Sequence, residues 1–416
     1  MGNTPNIRFK GFTDDWEQRK LNEYLQVSKV KNKDAAFSKE DVLSVSGDYG
    51  IVNQIEFQGR SFAGVSVAAY GVVETGDVVY TKSPLKSNPY GIIKTNKGKT
   101  GIVSTLYAVY KPLNNVHSEF VQIYFEQDAR MNNYMHSLVN KGAKNDMKVS
   151  DENALKGEVF FPSKDEQIKI SKYFGKIDHL ITLHQRKCDE TKKLKKFMLQ
   201  KMFPKKDAKK PEIRFARFTD DWEQRKLGEI VERVTRKNQD LVSELPLTIS
   251  AQYGLIDQNE FFDKRVASKD VSGYYLIYNG EFAYNKSTSS DAPWGAIKRL
   301  DRYENGVLST LYIVFRIKNE DILNSDFLMN YYDTNNWHKD IQAIAAEGAR
   351  NHGLLNIAPA DFFETELMLP QDIEEQKNIG NYFKSLNNLI TLHQRKCDEL
   401  KELKKYMLQN MFPQKG

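Results

Sequence analysis

Cysteine is almost absent from this sequence, with two residues in a chain of 416. Two cysteines cannot form a disulfide framework, so we expect a protein of the reducing cytoplasm. No stretch approaches the ~18 consecutive apolar residues of a membrane helix. The first residues, MGNTPNIRFKGF, lack the apolar core of a signal peptide. These absences predict a protein that neither crosses a membrane nor depends on disulfides.

Motifs for catalysis and cofactor binding are missing as well. The sequence has no Walker A motif, no Gly-x-Gly-x-x-Gly after a strand, no CxxC and no HExxH. SNPYG (Ser87–Gly91) partly matches the Asn-Pro-Pro-Tyr loop of DNA amino-methyltransferases, but it lacks the second proline. A turn with a packed aromatic residue explains it better. We therefore expect neither an enzyme nor a cofactor in this chain.

The net charge is +6, from 61 Lys and Arg against 55 Asp and Glu, which permits nucleic-acid binding without requiring it. Nine lysines cluster in a short stretch: Lys192, Lys193, Lys195, Lys196, Lys201, Lys205, Lys206, Lys209 and Lys210. Both a solvated helix face and a phosphate-facing surface are open interpretations of this cluster.

An internal duplication dominates what the sequence does contain. FTDDWEQRKL occurs at Phe12–Leu21 and again at Phe218–Leu227, and LITLHQRKCDE occurs at Leu180–Glu190 and at Leu389–Glu399. Weaker matches join these anchors: SVSGDYGIVNQ (Ser44–Gln54) with TISAQYGLIDQ (Thr248–Gln258), GDVVYTKS (Gly76–Ser83) with GEFAYNKS (Gly280–Ser287), STLY at Ser104–Tyr107 and Ser309–Tyr312, and KGAKN (Lys141–Asn145) with EGARN (Glu347–Asn351). The chain is two copies of one unit of about 205 residues, each with its own core.

The two copies have diverged unevenly. Their flanks are nearly identical, whereas one interior loop reads PLKSN (Pro84–Asn88) in the first copy and TSSDA (Thr288–Ala292) in the second. A constant scaffold with variable surfaces indicates two similar modules that recognise two different things.

Each copy is predicted to be a mixed α/β module. Runs such as VLSVS, VVETGDVVY and GIVSTLYAVY are typical of strands. FVQIYFEQDARMNNYMHSL and FLMNYYDTNNWHKDIQAIAA predict amphipathic helices that end near Gly142 and Gly348. GEVFFP and TELMLP then predict a last strand in each copy.

A long helix is predicted after Pro162 and again after Pro370, each of about 38 residues or roughly 57 Å. Steps of four and three residues define one apolar seam on each: Ile177, Ile181, His184, Cys188 and Thr191 on the first, Leu386, Ile390, His393, Cys397 and Leu400 on the second. Six leucines are expected to widen the seam: Leu180, Leu183, Leu194, Leu389, Leu392 and Leu403. Neither helix is stable alone, so we expect each to pack on the other.

The order of the repeats predicts that the chain closes on itself. The second FTDDWEQRKL follows the first long helix, whereas the first copy begins the chain. Equivalent placement requires the N-terminal segment to lie beside the end of the C-terminal helix, with the long helices antiparallel. Trp16 and Trp222 begin the shared segment and are expected to pack against the helix ends.

The repeated His and Cys one turn apart have three interpretations: a metal site, a redox pair or scaffold. The ligand set is only half of a zinc site, and the heptad register places both side chains on the seam. Scaffold is the interpretation we favour, with no metal.

Each long helix begins at a Pro-x-x-x-Glu-Gln motif, in PSKDEQIKI (Pro162–Ile170) and, with one more residue, in PQDIEEQKNI (Pro370–Ile379). Together with the Trp-Glu-x-x-Lys-Leu start of each copy, this arrangement resembles the specificity (S) subunits of type I restriction-modification systems over the whole chain. The resemblance implies an α+β fold with two target recognition domains, residues 1–164 and 205–371, and two long antiparallel helices, residues 165–204 and 372–416, that form a coiled coil with pseudo-two-fold symmetry.

The resemblance also implies a function. The modules would read the two halves of a split target in double-stranded DNA, and the helices would fix the spacing and dock two modification subunits. Those partners would bind S-adenosylmethionine and methylate adenine N6, while restriction subunits would use ATP and Mg. This chain itself would be silent in catalysis. A protein-interaction scaffold is the alternative, and a stand-alone methyltransferase is a more distant one.

Two loop classes are the candidate DNA contacts, because they carry basic, hydroxyl and amide groups in both copies. The first class comprises Lys82, Ser83, Lys86 and Asn88 with Lys286, Ser287, Ser289 and Ser290; the second comprises Lys141, Lys144 and Asn145 with Arg350, Asn351 and His352. Lys82 and Lys286 match while their surroundings differ, which fits phosphate positioning. Solvated loops are the alternative, as a solvated helix face is for Arg186, Lys187, Arg395 and Lys396.

Overall fold

The structure is a computed structural model. It describes residues 4–82, 88–141, 147–205, 208–250, 254–264, 266–289, 292–345, 350–351 and 353–413. The chain forms two compact units. Unit 1 is Met1–Gln185 with Arg395–Gly416, and unit 2 is Arg186–Gln394.

The elements of the first copy are β1 (Glu17–Lys20), β2 (Leu25–Val27), β3 (Leu43–Ser46), β4 (Gly50–Asn53), α1 (Gln54–Gln58), β5 (Gly71–Val73), β6 (Val78–Thr81), β7 (Ile93–Thr95), β8 (Gly101–Val103), β9 (Tyr107–Pro112), α2 (Ser118–Tyr124), α3 (Asp128–His136), β10 (Asn140–Lys141), β11 (Met147–Lys148), β12 (Glu158–Phe161) and α4 (Lys164–Met202).

The elements of the second copy are β13 (Glu223–Lys226), α5 (Leu227–Ile230), β14 (Val231–Val234), β15 (Leu247–Ser250), β16 (Gly254–Asp257), α6 (Gln258–Phe262), β17 (Tyr275–Tyr278), β18 (Phe282–Asn285), β19 (Ala296–Arg299), β20 (Asn305–Leu308), β21 (Ile313–Ile317), α7 (Ser325–Tyr332), α8 (His338–Ile344), β22 (Arg350–Asn351), β23 (Leu354–Leu355), α9 (Pro359–Phe363), β24 (Glu366–Leu369) and α10 (Ile373–Asn410).

A four-stranded antiparallel sheet lies at the centre of each unit. Its strand order is β2-β9-β6-β7 in unit 1 and β14-β21-β18-β19 in unit 2. The registers correspond, since Val79 pairs with Val109 and Ala283 pairs with Val314. The predicted last strands are β12 and β24, and each pairs antiparallel with the strand of the shared Trp-Glu segment, β1 or β13.

The late helix of each copy, predicted as one element, is two. Helices α2 and α3 are separated by Phe125–Gln127, and α7 and α8 by Asp333–Trp337. In unit 2 Trp337 is buried, and its indole N–H donates to the carbonyl of Tyr332 at 3.1 Å. Apolar spacing continues across both breaks, which is why the sequence suggested uninterrupted helices.

The long helices run antiparallel within each unit. In unit 1 the ring of Phe174 lies 6.1 Å from that of Phe412, and the Cys397 thiol donates to Gln185 at 3.6 Å. In unit 2 the rings of Phe203 and Phe383 are 6.1 Å apart. The C-terminal helix ends at Asn410 rather than running to residue 416, because the chain then turns, buries Met411 and Phe412 in the unit 1 core and reaches Pro413.

Fewer side chains along the predicted helix seam are buried than the sequence predicted. Ile177, Cys188, Leu386 and Cys397 are buried, whereas Ile181, His184, Thr191, Ile390, His393 and Leu400 are half-buried. Of the six leucines expected to widen it, only Leu183 is half-buried; the exposed ones are Leu180, Leu194, Leu389, Leu392 and Leu403. A two-helix contact covers the heptad positions and leaves their flanks uncovered.

The start of the chain lies beside the end of the C-terminal helix, as the repeat order predicted. In unit 1 the N–H of Ile7 donates to the carbonyl of Asn410 at 2.9 Å. Arg8 donates to both oxygens of Glu166 at 2.8 and 2.7 Å, and Glu166 is 1% exposed. Trp16 packs on Phe412 with its ring centroid at 5.8 Å.

Unit 2 repeats these contacts at the end of α4. The N–H of Ile213 donates to the carbonyl of Lys201 at 2.9 Å, and Arg214 donates to both oxygens of Glu375 at 2.7 and 2.8 Å. Trp222 packs on Phe203 at 6.1 Å. The predicted packing of both tryptophans against helix ends is therefore confirmed.

The Glu-Gln motif has a physical explanation in these contacts. Glu166 and Glu375 bind the arginines, while the neighbouring Gln167 and Gln376 are completely buried. Each glutamine accepts a backbone N–H of the loop before α2 or α7 and donates to the carbonyl of the preceding proline. Both side chains of the motif therefore attach the start of a long helix to its own module.

Candidate nucleic-acid interface

The candidate interface of unit 1 lies where β6 ends. Lys82 follows this strand, and its N–H donates to the carbonyl of Leu106, in the STLY turn, at 3.4 Å. Its Nζ donates to Asp151 Oδ1 at 2.8 Å, just beyond the hairpin β10–β11. The strand exit, the STLY turn and the segment after the hairpin therefore lie together.

The corresponding loops of unit 2 are joined through the backbone. The N–H of Leu355 donates to the carbonyl of Lys286 at 3.0 Å, and that of Thr288 to the carbonyl of Gly353 at 2.7 Å. Ser287 pairs with Leu354 between these two bonds. The strand exit and the hairpin β22–β23, which the sequence offered as two separate loop classes, form one surface.

Several predicted contact residues cannot be placed. Six lie outside the described residues: Ser83, Lys86, Lys144, Asn145, Ser290 and His352. For three more the structure places only the backbone, in the hairpins: Lys141, Arg350 and Asn351.

The remaining amide and hydroxyl candidates take part in local structure. Asn88 donates from Nδ2 to Asp128, at the start of α3. The N–H of Ser287 donates to Asn285 Oδ1 at 3.0 Å, and Ser289 Oγ accepts the N–H of Ala292 at 3.1 Å. These contacts shape the loops, and DNA contact by the same side chains stays a prediction.

The two matched lysines have different environments. Lys82 forms an ion pair with Asp151, and its side chain is 24% exposed. Lys286 donates to the carbonyl of Ile357 at 3.3 Å, and burial, followed by the nearby charge of Arg233, lowers its pKa. Lys82 is thus a charged group that can exchange partners, whereas Lys286 is partly withdrawn into its module.

Five of the eight described lysines in the cluster between the copies form ion pairs within unit 2, with three carboxylates. Lys201 and Lys205 both pair with Glu212 and lower the pKa of this carboxyl to about 2. Lys210 Nζ lies 3.3 Å from Asp221. These ion pairs give the stretch a mixed-charge surface, and phosphate binding by its other lysines stays a prediction.

A partly buried ion-pair cluster, which the sequence analysis missed, attaches each module to a long helix. In unit 1, Glu126 sits in the break between α2 and α3. Its Oε1 lies 2.8 Å from Lys404 Nζ on α10 and 3.7 Å from Lys94 Nζ on β7. Lys404 also pairs with Asp178 of α4 at 2.7 Å. We call this group the helix-docking cluster.

The helix-docking cluster of unit 2 has one central acid between two lysines as well, with aspartate in place of glutamate, but its ion pairs among the described residues include no counterpart of Asp178. Asp333, after α7, lies 2.8 Å from Lys195 Nζ on α4 and 2.6 Å from Lys298 Nζ on β19. Burial alone would raise the pKa of Asp333, but Lys298 and Lys195 hold it below its usual value. The matched lysines of the two copies were the sequence signal that could have identified the cluster.

The two cysteines belong to the helix packing. The Cys188 thiol lies 3.8 Å from the carbonyl of Ile390 and 3.7 Å from Gln394 Oε1. Across the described ranges, no group of three or more His, Cys, Asp or Glu side chains is arranged to hold a metal ion. None of the described helices is both long and apolar enough to cross a membrane.

The long helices expose matched apolar side chains in both units. Leu180, Leu403 and Tyr406 are exposed in unit 1, and the equivalent Leu389, Leu194 and Phe197 are exposed in unit 2. Apolar groups exposed at matched positions of two copies are candidates for contacts with other proteins. We call these three side chains of each unit its helix patch.

Comparisons with known proteins agree with these observations. Residues 219–402 match the family model described as "Type I restriction modification DNA specificity domain". No curated protein matches the chain.

One solved structure shares the fold of this chain over nearly its whole length, and a second aligns less well. An S subunit of a type I restriction-modification system from M. genitalium aligns with a TM-score of 0.62 and 14% identity, covering 99% of this chain and 100% of that one. An HsdS subunit from Thermoanaerobacter tengcongensis aligns with a TM-score of 0.42 and 14% identity, covering 95% and 96%.

Proposed function

We propose that this chain is a member of the type I restriction-modification specificity family and that it reads a split DNA target with one module for each half. It would act as a DNA-recognition subunit and would carry out no catalysis itself; the match of residues 219–402 to the specificity-domain model supports this. One observation supports the assignment of one module to each half-site. Both units attach to their long helices through the same Arg–Glu ion pair and a helix-docking cluster, yet their loops differ at the strand exit.

The candidate interface is suited to DNA because it combines main-chain hairpins, hydroxyl groups and lysines on one surface. Such groups position a duplex through its phosphates, and side chains on variable loops then read base edges. The difference between PLKSN and TSSDA at the same strand exit supports different half-sites for the two modules.

We propose that the helix patches dock the other subunits of the system. Two equivalent patches suit two copies of one modification subunit, which would bind S-adenosylmethionine and methylate adenine N6 in each half-site. Restriction subunits would join the full complex with ATP and Mg. Because the target is cellular DNA, the complex would act in the cytoplasm.

Co-expression with the modification subunit of the same system tests this function. The complex should co-purify, and methylation sequencing of host DNA should reveal one split motif with adenine methylated in both halves. A full complex that binds no duplex DNA and methylates no split motif, with a partner whose binding is insensitive to salt, would instead support a protein-interaction scaffold.

A further inference from the structure

The STLY turn is an exposed loop that both copies keep letter for letter beside loops that differ. It spans Ser104–Tyr107 in unit 1 and Ser309–Tyr312 in unit 2. Its leucine is unusually exposed in both places, with Leu106 at 64% and Leu311 at 54%. A single exposed leucine is ordinary on a protein surface, but the stability of each module does not account for its exposure at the same place in both copies, beside loops that differ.

The turn has the same rigid geometry in both units. In unit 1 the N–H of Tyr107 donates to the carbonyl of Ser104 at 3.1 Å, and that of Leu106 to Ser104 Oγ at 3.4 Å. Burial raises the pKa of Tyr107, whose phenol is also hydrogen-bonded to the backbone of Val45 in β3. The tyrosine therefore anchors the turn, while Thr105 and Leu106 project from its corner.

Unit 2 reproduces each of these contacts. The N–H of Tyr312 donates to the carbonyl of Ser309 at 3.1 Å, and that of Leu311 to Ser309 Oγ at 3.3 Å. The phenol of Tyr312 is buried against Thr248 and Ile249 of β15. A corner fixed in this way presents its two exposed side chains without a large loss of conformational entropy on binding.

The turn adjoins the candidate interface. The N–H of Lys82 donates to the carbonyl of Leu106, and in unit 2 the pairing of Tyr284 with Ile313 brings the end of β18, just before Lys286, alongside the start of β21, just after the turn. The strand exits beside the two turns differ, whereas the turns do not. An element common to two readers of different sequences fits a contact with what all DNA shares, its sugar–phosphate backbone.

We propose that the STLY turn is a sequence-independent DNA contact used by both modules. The leucine packs against a deoxyribose, and the threonine hydroxyl donates a hydrogen bond to a phosphate oxygen. The contact holds the backbone at a fixed height over each module, so that the neighbouring variable loops reach the base edges. This proposal rests on the proposed DNA-reading function and adds residues to it.

The test uses the complex with its modification subunit and two fluorescent duplexes, one with the methylated motif and one without it. Leu106→Ser combined with Leu311→Ser should weaken binding to both duplexes by about tenfold and leave the motif unchanged. Thr105→Val combined with Thr310→Val should weaken both as well. Ile322→Ser changes another exposed apolar residue of unit 2 and should have no effect.

Three results would overturn the proposal. The variants could bind both duplexes as tightly as the wild type, lose only the preference for the motif, or fail to assemble with the modification subunit; the last would make the turn a protein contact. Unchanged thermal unfolding of the threonine pair confirms that folding is intact. If the wild-type complex itself recognises no motif, the proposed function fails instead.

Discussion

The two units attach to their long-helix segments through matching contacts but differ in the surfaces they offer to DNA. Arg8–Glu166 and Arg214–Glu375 are both bidentate, with a fully buried glutamate and a half-buried arginine. At the strand exits, by contrast, Lys82 pairs with a carboxylate and Lys286 with a backbone carbonyl. A shared way of attaching both modules to the long helices, combined with a different DNA target for each module, explains why the ion pairs match and the strand exits differ.

Small differences also occur among the contacts that attach the modules to the long helices. Trp222 donates its indole N–H to Glu375 at 3.3 Å, whereas that of Trp16 is buried without a hydrogen-bond partner among the described residues. The helix-docking cluster of unit 1 has a second acid, Asp178, which unit 2 lacks among its recorded ion pairs over the described ranges. These differences predict that equivalent substitutions will not have equal effects.

The largest effect is expected from removing the buried glutamates. Glu375→Ala leaves Arg214 and the Trp222 indole without their acceptor, and breaking a buried ion pair costs about 3–5 kcal/mol. Glu166→Ala should lower the free energy of unfolding by roughly 1 kcal/mol less, because it leaves only Arg8 without its acceptor. Urea unfolding followed by hydrogen exchange in each unit measures both. Equal losses, or losses below about 1 kcal/mol, would contradict the comparison.

A smaller effect is expected in the helix-docking cluster. Asp333→Asn should destabilise unit 2 by about 1–3 kcal/mol, and Glu126→Gln should cost less, since Lys404 keeps Asp178. Hydrogen-exchange protection of α7 and α2 compares the two variants at pH 7. A greater loss in unit 1 than in unit 2 would show that the second acid has no compensating role.

Lowering the pH should remove the stabilisation that the Asp333 carboxylate contributes to unit 2. Its pKa is lowered in the folded state, so its contribution is complete above the unfolded pKa of about 4 and is lost as the pH falls through the folded pKa. Urea midpoints of the wild type and Asp333→Asn, measured from pH 7 to pH 3, should therefore converge at the acid end. A constant gap between the two would contradict this assignment.

The smallest effects concern the matched lysines. Lys82→Ala should reduce the salt dependence of DNA binding by about one phosphate contact. Lys286→Ala should reduce it less, because this lysine is half-buried and hydrogen-bonded within its module. Binding of the assembled complex to one duplex at several salt concentrations distinguishes them. A larger change for Lys286→Ala would reverse their proposed roles.

The architecture was largely predictable because it depends on repeats and periodicity. The order of the FTDDWEQRKL copies predicted the contact between Ile7 and Asn410, and the heptad steps predicted the burial of Cys188 and Cys397. Such patterns act over many residues, so local exceptions do not erase them.

The details of the site were not predictable in the same way. Glu126 and Asp333 lie in apolar segments whose helical period continues through the break, and their lysine partners are distant in sequence. The joining of the strand exit to β22–β23 depends on backbone hydrogen bonds, which carry no side-chain signature. The match between Lys82 and Lys286 in the two copies does not indicate that Lys286 is half-buried.

Replacing the first module with a second copy of the other tests the central claim most directly. Residues 228–365 would substitute for residues 22–157, between the shared Leu21 or Leu227 and the shared Glu158 or Glu366. Methylation sequencing should then show a motif made of two copies of the half-site read by the second module. Persistence of the original first half-site in the motif would contradict the assignment of one module to each half.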